Sequence, residues 1–394
     1  LAGAGNDTIT GGGGDDIIHG GLGNDILELA GSAEDYVIDY RNRSLTDGVV
    51  TDVNLSDGDE GTDTFYGFEA IHFGDGTELT VTMAETGEFL VNTQYTSGDQ
   101  HYPSVASLDG GDFVIAWYDE ARGDIYAQSY NFIGEAVGGE FRVNSYTSST
   151  QQDPEVTALA DGGYVVTWSD SSGHDGGNGW DVRGQRFDAN HAMVGDEFLV
   201  NTTVSNTQYQ PDVSALADGG FVITWEDHNG TDGSGYGVFG QRFDAAGAKA
   251  DDEFQVNTYT NSTQENVSVA GFDDGGFIAT WQSSGQDGSS SGIYGQRYDW
   301  VTDEDGSSSL QAVDDEFRVN TYTSSDQSNP EVATLSDGGY VVTWRDSSGH
   351  SGGSSWDVRA QRFDVDANPV GGEFLVNTYT SDEQRDAEVT ALED

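Results

Sequence analysis

One short motif, Glu-Phe-x-Val-Asn, recurs six times from residue 88 onward and divides most of the chain into units of similar length. Its copies are separated by 52, 57, 56, 63 and 57 residues, and they begin at Glu88, Glu140, Glu197, Glu253, Glu316 and Glu373. Self-similarity at a nearly fixed period is typical of architectures in which one supersecondary unit packs against its neighbours. We therefore expect residues 88–394 to form one array of equivalent units.

Each unit contains four short segments that are rich in β-branched and aromatic residues. In the unit around residue 154 these segments read PEVTAL, YVVTW, WDVRGQRFD and EFLVNT, with Asp/Gly/Ser/Asn clusters between them. The Asp161-Gly162-Gly163 stretch between the first two favours a tight hairpin, because Gly adopts positive φ angles easily. The pattern predicts a four-stranded meander in each unit.

The second segment of each unit, such as FVIAW or FVITW, is a continuous apolar run. Such runs are expected where both faces of a sheet are covered. Repeated four-stranded sheets of this length match the blades of a β-propeller, whereas immunoglobulin-like sandwiches need about 100 residues per unit. We predict an all-β chain with the PxVxAL segment nearest the axis, EFxVNT outermost, and five complete blades that begin near Tyr102, Pro154, Pro211, Val267 and Pro330.

Two further segments flank the five blades. An outer-strand sequence stands alone at 88–93, and an inner-strand sequence stands alone at 387–394. A ring-closing blade needs both of these and two middle strands as well. We therefore expect the natural chain to continue beyond Asp394 and to form a ring of six or seven blades.

The composition excludes several kinds of partner and chemistry. The chain has 14 Lys and Arg against 70 Asp and Glu, which gives a formal charge of −56, and it contains no Cys. A field of this sign repels nucleic acid and anionic membranes, and no apolar run reaches the roughly 18 residues that cross a bilayer. The absence of Cys excludes disulfides, thiolate metal sites and a cysteine nucleophile. We expect cations as partners, no nucleic acid and no membrane insertion.

The first thirty residues contain a different repeat, with a period of nine. Residues 2–28 read AGAGNDTIT, GGGGDDIIH and GGLGNDILE without gaps. The pattern GGxGxDxUx, with U apolar, is a calcium-binding β-helix repeat in which Gly permits tight turns and Asp supplies a hard oxygen ligand. The alternative is a flexible Gly/Asp-rich linker. The candidate ligand positions are Asp7, Asp16, Asp25, Gly3, Gly5, Gly12, Gly14, Gly21 and Gly23.

These nonapeptides resemble the RTX (repeats-in-toxin) family of secreted bacterial proteins. The resemblance implies a calcium-binding parallel β-roll at residues 1–30, in which Asp7 and Asp25 share a side and Asp16 lies opposite. Residues 31–87 resemble the β-strand cap of serralysin-type RTX regions, and residues 88–394 resemble the repeats of long adhesin-like RTX proteins. The resemblance further implies Ca²⁺ as the cofactor, type I secretion, and an extracellular or cell-surface location.

Long polar loops on one propeller face supply a second set of candidates. Asp170, Asp175, Asp227, Asp232 and Asp287 lie on these loops and either bind calcium or belong to plain solvated turns. Trp180 and Trp356 lie at loop ends, where they either stack on a glycan or pack against the protein. We expect the repeated Arg of GQRFD to pair with a neighbouring carboxylate, such as the Glu of the next EF segment.

No catalytic motif stands out. HExxH and P-loop patterns are absent from the sequence, and the GxSxG spacing occurs only within Gly/Ser-rich loops, at 288–292 and 349–353, and not at a strand-to-helix elbow. The sequence predicts a calcium-dependent structural or adhesion module that presents one loop-rich face to a glycan or a cell-surface protein. The alternative is a carbohydrate-active enzyme, either a polysaccharide lyase or a glycosidase, or its accessory domain on a propeller scaffold.

Overall fold

The computed structural model describes residues 6–12, 14–20, 25–40, 48–53, 61–66, 68, 70–80, 89–108, 111–131, 134–174, 176, 179–204, 207–302, 308–350, 356–379, 382–384 and 387–391. These residues form β-strands and one 3₁₀ turn, Ala33–Asp35, and no α-helix occurs among them. The chain divides into two compact units. The N-terminal unit comprises Leu1–Val91, Asp109–Phe113 and Ser129–Gly138, and the blade unit comprises Asn92–Leu108, Val114–Gln128 and Gly139–Asp394.

The N-terminal unit contains two four-stranded sheets. One sheet has the strand order β1-β3-β7-β8 and the other has the order β2-β6-β5-β4. The pairs β1–β3, β3–β7 and β2–β6 are parallel, whereas the remaining pairs are antiparallel. The strands are β1 Thr8–Thr10, β2 Ile17–His19, β3 Ile26–Leu29, β4 Tyr36–Tyr40, β5 Gly48–Asp52, β6 Thr62–Tyr66, β7 Ala70–Phe73 and β8 Glu78–Thr80.

Consecutive nonapeptides in this unit supply strands to alternate sheets, so the roll geometry implied by the RTX resemblance is present. Leu27, Phe65 and Ile71 are fully buried in one core cluster of this unit, and Ile9 is partly buried against it. Strands β6 and β7 extend the parallel part of the roll well beyond residue 30. The antiparallel strands β5 and β4 continue one sheet beyond β6, and β8 continues the other beyond β7, so that β4 and β8 are edge strands.

The repeats from residue 88 onward form five four-stranded antiparallel sheets arranged like propeller blades, as the motif spacing predicts. We number these blades one to five in chain order. Their strands are β9–β12 (Gln100–Ser107, Phe113–Asp119, Asp124–Tyr130, Ala136–Arg142), β13–β16 (Gln151–Ala158, Tyr164–Asp170, Asp181–Phe187, Met193–Leu199), β17–β20 (Gln208–Ala215, Phe221–Asp227, Gly237–Phe243, Phe254–Gln255), β21–β24 (Gln264–Gly271, Phe277–Ser284, Ser291–Thr302, Ser308–Arg318) and β25–β28 (Gln327–Thr334, Tyr340–Asp346, Asp357–Phe363, Pro369–Leu375).

Neighbouring blades share their hydrophobic cores. Adjacent residues of the continuous apolar strand point to opposite faces: Val166 packs in a cluster with blade one, whereas Val165 packs in a cluster with blade three. Similar clusters join blades three and four and blades four and five. The sheets therefore bury both faces against each other. The recurrent Trp residues belong to the core, since their exposed fractions are 3% or less at Trp117, Trp168, Trp225, Trp281 and Trp344.

The inner strands of successive blades contact each other in the order β9, β13, β17, β21 and β25. This confirms the prediction that the PxVxAL segment lies innermost and EFxVNT outermost. Each inner strand has an irregular register two residues before its central Val, for example between Gln152 and Glu155. The residue inside this bulge, such as Asp153 with φ of 51°, adopts a left-handed conformation. The bulge changes the direction of the side chain that follows it.

The outer strands of blades one to four also reach their neighbours through two side chains, as blade two shows. Phe198 of blade two packs on Phe243 of blade three, with ring centroids 5.2 Å apart. Its ring also lies across Gly184, where a Cβ atom would come within 2.6 Å of it. Glu197 accepts a 2.7 Å hydrogen bond from the backbone N–H of Ser145, in the connector that precedes blade two. The EF pair of the repeat motif is therefore an inter-blade contact.

The prediction for the partner of the GQRFD arginine was only partly right. Arg186 pairs with a carboxylate, but that carboxylate is Asp161 of the hairpin turn in its own blade, at 3.0 Å, and not the Glu of the EF segment. The same pairing recurs as Arg242–Asp218, Arg297–Asp274 and Arg362–Asp337. Arg186 of β15 lies opposite Val165 of β14, and β14 begins directly after the turn that contains Asp161, so this Asp is the nearer anion.

The two flanking segments are not strands within the described residues 89–93 and 387–391. An isolated segment forms a strand only when a neighbour pairs with its backbone, and the middle strands of such a blade are not in the sequence. Phe89 nevertheless packs on Tyr130 at 5.2 Å, as an outer-strand Phe does in the other blades. The hydroxyl of Tyr130 donates to the carbonyl of Val91, as Tyr298 does to that of Val256.

We predict that Phe198→Ala will destabilise the blade unit by about 2–3 kcal/mol, because it removes a large aromatic contact between two blades. The matched control is Phe374→Ala at the equivalent position of blade five, where the side chain is 49% exposed. It should cost less than about 1 kcal/mol. Urea unfolding followed by tryptophan fluorescence measures both changes. Equal effects of the two substitutions would contradict the inter-blade role of this Phe.

Candidate calcium sites and axial cavity

The Asp residues of the roll form two cross-turn pairs. The carboxylate of Asp25 accepts a hydrogen bond of 2.8 Å from the backbone N–H of Asp7. On the other sheet, the carboxylate of Asp63 accepts one of 2.8 Å from the N–H of Asp16. The ladders place Thr8 opposite Ile26 and Ile17 opposite Thr64, so the two members of each pair occupy equivalent positions in successive turns of the roll.

Sequence reasoning missed Asp63. It treated Asp16 as half of a site, whereas the structure places Asp63 in the next turn of the same sheet. The signal was present, because Gly61-x-Asp63-x-Phe65 has the spacing of Gly14-x-Asp16-x-Ile18. The intervening hairpin of β4 and β5 separates this turn from the earlier copies by tens of residues and hides the nine-residue period.

The described glycines of the roll leave room beside these carboxylates. A Cβ atom at Gly11 would lie 2.5 Å from Oδ2 of Asp63, and Gly12 and Gly14 have φ angles of 92° and 99°. Carboxylate and backbone oxygens are the ligands that calcium prefers. The residues present therefore fit Ca²⁺. The candidate glycines Gly3, Gly5, Gly21 and Gly23 lie outside the described residues.

The loop carboxylates make local contacts. Asp170 forms a buried ion pair with Arg183, at 2.7 Å, and accepts hydrogen bonds from Ser172. The loops of blades three and four contain Asp turns, in which Asp227, Asp232 and Asp287 each accept a backbone N–H from the residue two positions later. Burial raises the pKa of Asp232, and the nearby charge of Asp227 raises it further. Asp175 lies outside the described residues.

The two loop tryptophans have different surroundings. Trp180 is half-buried and meets Tyr209 edge-on, with ring centroids 5.4 Å apart. Trp356 is also half-buried, but the guanidinium of Arg345 lies 4.7 Å from the centre of its ring. Arg345 therefore covers one face of Trp356. Stacking on a glycan stays a prediction for both residues.

One cluster of two carboxylates and a histidine, with spacing suited to a metal ion, was not predicted from the sequence. Ligand atoms of Asp99, His101 and Glu120 lie within 4.8 Å of one another, and all three side chains are exposed. No other group of three acidic, His or Cys side chains has this spacing within the described ranges. The residues are brought together by the first hairpin of blade one, so their separation in sequence gave no signal.

A cavity of about 340 Å³ lies where the inner strands of all five blades meet. One position repeats with the blades, two residues after the left-handed bulge residue, and we call its occupants the axial belt. They are, in chain order, Ser104, Glu155, Asp212, Ser268, Glu331 and, in the last repeat segment, Glu388. The four carboxylates among them line the cavity. No Lys or Arg belongs to the described lining of the cavity.

Hydrogen bonds join members of the axial belt to their neighbours. The hydroxyl of Ser104 donates to Glu155 at 2.8 Å, and that of Ser268 donates to Glu331 at 3.1 Å. The carboxylate of Asp212 accepts the N–H of Val269 at 2.7 Å. These bonds cross from one blade to the next and hold the inner strands together around the cavity.

The belt is electrostatically strained because its carboxylates share one small space. Burial raises the pKa of Glu331 to about 9, and the charges of Asp212 and Glu388 contribute to that increase. Burial also raises the pKa of Asp212, and it raises that of Glu155, where the charge of Asp212 adds to the effect. The folded chain therefore holds protons here that an unfolded chain would release.

Comparison with known proteins supports the calcium-binding roll. Residues 1–27 match the family model of the RTX calcium-binding nonapeptide repeat, in four copies. The match covers the segment in which the sequence shows its nine-residue period. No curated protein is significantly similar to the chain.

Several solved structures are similar to the chain at low identity. A protein of unknown function from Dyadobacter fermentans DSM 18053 is 12% identical, with a TM-score of 0.46, and the match covers 71% of this chain and 83% of that chain. The α-L-arabinofuranosidase Arb93A from Fusarium graminearum is 11% identical, with a TM-score of 0.44 and coverage of 76% and 79%. The Penicillium chrysogenum α-L-arabinanase is 13% identical, with a TM-score of 0.44 and coverage of 72% and 95%. These TM-scores lie below 0.5 and say nothing about the chemistry of this chain.

Among the described residues, no helix has the length and apolarity that crossing a lipid bilayer requires.

The pKa of Glu331 leads to a prediction about pH. Since the pKa of Glu331 is higher in the folded chain than in the unfolded chain, the folded chain holds its proton more tightly. The stability that this proton contributes is complete below the ordinary Glu pKa and is lost as pH rises toward about 9. Glu331→Gln should therefore stabilise the blade unit by about 1–2 kcal/mol near pH 8 and change little near pH 4. Urea unfolding at both pH values measures this difference, and Asp366→Asn on an exposed turn of blade five is the control. A Gln variant that is less stable near pH 8 would show that the ionised carboxylate is favourable.

Proposed function

We propose that this chain is a calcium-stabilised, secreted module of an RTX-type protein, and that its blade unit presents one loop-rich face to a ligand. The observation that carries the calcium part is the pairing of Asp7 with Asp25 and of Asp16 with Asp63 across successive turns of the roll. The match of residues 1–27 to the RTX calcium-binding repeat supports it independently.

Calcium would act on this module through charge. Ionised carboxylates in successive turns repel one another, and the chain as a whole carries a formal charge of −56. Calcium, when bound, supplies positive charge to Asp7 and Asp25 on one sheet and to Asp16 and Asp63 on the other. Extracellular-type sites bind calcium with dissociation constants of about 10⁻⁴–10⁻³ M. Folding would then be withheld in a calcium-poor cytosol and completed after export.

The loop-rich face supports a binding role because a rigid scaffold holds it. The loops that follow the second strand of a blade meet the connectors that precede the first strand. For example, the backbone N–H of Ser171 donates to the carbonyl of Thr150 at 2.9 Å. The backbone N–H of Gln208 donates to the carbonyl of Trp180 at 2.8 Å. Loops that are fixed in this way on a stable core commonly carry recognition surfaces. A glycan or a cell-surface protein is the ligand class that we propose.

The calcium assignment is tested by two double variants, Asp7→Ala/Asp25→Ala and Asp16→Ala/Asp63→Ala. In each one the rise in Tm that calcium causes in the N-terminal unit should fall by at least half, because each variant removes one pair of ligands. The matched control is Glu28→Ala, which removes an exposed acidic side chain from the same roll. Differential scanning calorimetry with calcium and with chelator measures the rise. An unchanged rise in both double variants would reject the roll as the calcium site.

A carbohydrate-active enzyme is the second candidate, and the axial cavity favours it. A carboxyl group whose pKa is raised to about 9, as at Glu331, is protonated at neutral pH and is able to act as a general acid. The test is the release of reducing ends from soluble polysaccharides. Turnover that Glu331→Gln abolishes would favour the enzyme, whereas binding without turnover would favour the adhesion module.

A further inference from the structure

The chemically reactive side chains on the loop-rich face are concentrated in one part of it. At the end of the second strand, blades one, two, three and five carry an Asp, and blade four carries Ser283 instead. The residues on either side of this position are Ser169 and Ser171 in blade two, but Glu226 and His228 in blade three. The core Trp of the same strand, such as Trp225, recurs in all five blades. Blade three therefore places a carboxylate and an imidazole where blade two has two hydroxyl groups, and the shared core does not require this change.

Glu226 and His228 form a pre-organised pair. Oε2 of Glu226 lies 2.8 Å from Nε2 of His228. Oε1 of the same carboxylate accepts the N–H of Asn266 at 2.6 Å, and only 2% of Glu226 is exposed. The imidazole ring stacks on Tyr236 with ring centroids 3.7 Å apart. The buried carboxylate therefore fixes an imidazole that still reaches solvent, since 24% of its side chain is exposed.

Tyr209 connects this pair to the axial cavity. Its hydroxyl accepts a hydrogen bond from Gln152. Burial raises the pKa of this hydroxyl, and the charge of Asp153, which lines the cavity, raises it further. Its ring lies 6.1 Å from that of His228 and meets Trp180 edge-on. Aromatic rings, a fixed imidazole and planar amide and carboxylate groups thus lie side by side at the rim of the cavity.

We propose that this rim, formed by Trp180, Tyr209, Glu226, His228 and Asp153, binds an oligosaccharide that carries no acidic groups. The inference rests on the proposed function, because it names the ligand of the loop-rich face. Partly exposed aromatic rings pack against the C–H faces of sugar rings, and the adjacent polar groups accept and donate the hydrogen bonds that hydroxyl groups need.

Charge excludes the acidic sugars. Glu265 also lies beside this rim: burial raises its pKa, and the charge of Glu226 raises it further. No Lys or Arg is among the rim residues or the described lining of the cavity. A uronic acid or a sulfated sugar would therefore bring a negative charge into a negative field without a partner. Neutral sugars avoid that cost.

Trp356 supplies a matched control for Trp180. It ends the corresponding loop of blade five, but Arg345 of the same blade lies over its ring, at the position that Ser169 occupies in blade two. Blade five therefore repeats the loop without the combination of groups that we assign to binding.

The experiment is isothermal titration of the full chain, in calcium, with neutral hexasaccharides (laminarihexaose, xylohexaose, arabinohexaose and N-acetylchitohexaose) and with acidic hexamers of galacturonate and alginate. At least one neutral hexamer should bind, and the acidic hexamers should bind at least about tenfold more weakly. Trp180→Ala and Tyr209→Phe should each raise its Kd by at least about tenfold, whereas Trp356→Ala should change it by less than about twofold.

Three outcomes would overturn the proposal: no neutral hexamer binds, the acidic hexamers bind equally well, or binding survives both rim substitutions. The urea midpoint of the blade unit, measured on the same variants by tryptophan fluorescence, shows that each one is folded. The calcium-dependent rise in Tm of the N-terminal unit separates this proposal from the calcium assignment. A variant that loses sugar binding but keeps the calcium-dependent rise in Tm tests the rim proposal alone. An unmodified chain without that rise would count against the calcium assignment of the roll alone.

Discussion

The fold of the repeat region depends on one constraint, which is that a four-stranded sheet made of continuous apolar strands must cover both of its faces. Val165 and Val166 are neighbours in sequence, yet they belong to cores shared with different blades. Burial of apolar surface is the main favourable term in folding, and no single sheet of this kind obtains it alone. Adjacent blades therefore pack face to face, and their inner strands gather around one cavity.

This packing places hydrogen-bonded and ionisable side chains at the outer strands and around the central cavity of the array. At the periphery, the Asn of each EFxVN motif joins an outer strand to the next inner strand. Asn144, for example, accepts the N–H of Ile125 and donates to Asp124 and Gln151. At the centre, the same repetition brings carboxylates such as Glu155, Asp212 and Glu331 together, and it raises their pKa values. A group of like charges opposes folding at high pH, so a structure that retains it carries a cost in stability that packing offsets.

The sequence predicted those features that depend on local pattern and repetition. The strand order, the number of complete blades, the inner position of PxVxAL and the buried Trp residues all follow from periodic apolar residues and turn glycines. Features that depend on distant residues were missed or misassigned. Asp63 is separated from its partner Asp16 by an inserted hairpin, and Arg186 pairs with the Asp of its own turn because the strand register brings them together. The rim around Glu226 and His228 combines residues of two blades and has no linear motif.

The measurement that tests the central claim most directly is equilibrium unfolding of the chain followed at two single blades. Variants that retain only Trp168 in blade two or only Trp344 in blade five, with the other tryptophans replaced by Phe, report each blade separately. If neighbouring blades share their cores, both probes should show the same urea midpoint and the same slope. Two separate transitions, each unaffected by core substitutions in the other blade, would show that the sheets fold independently and would contradict the shared-core account.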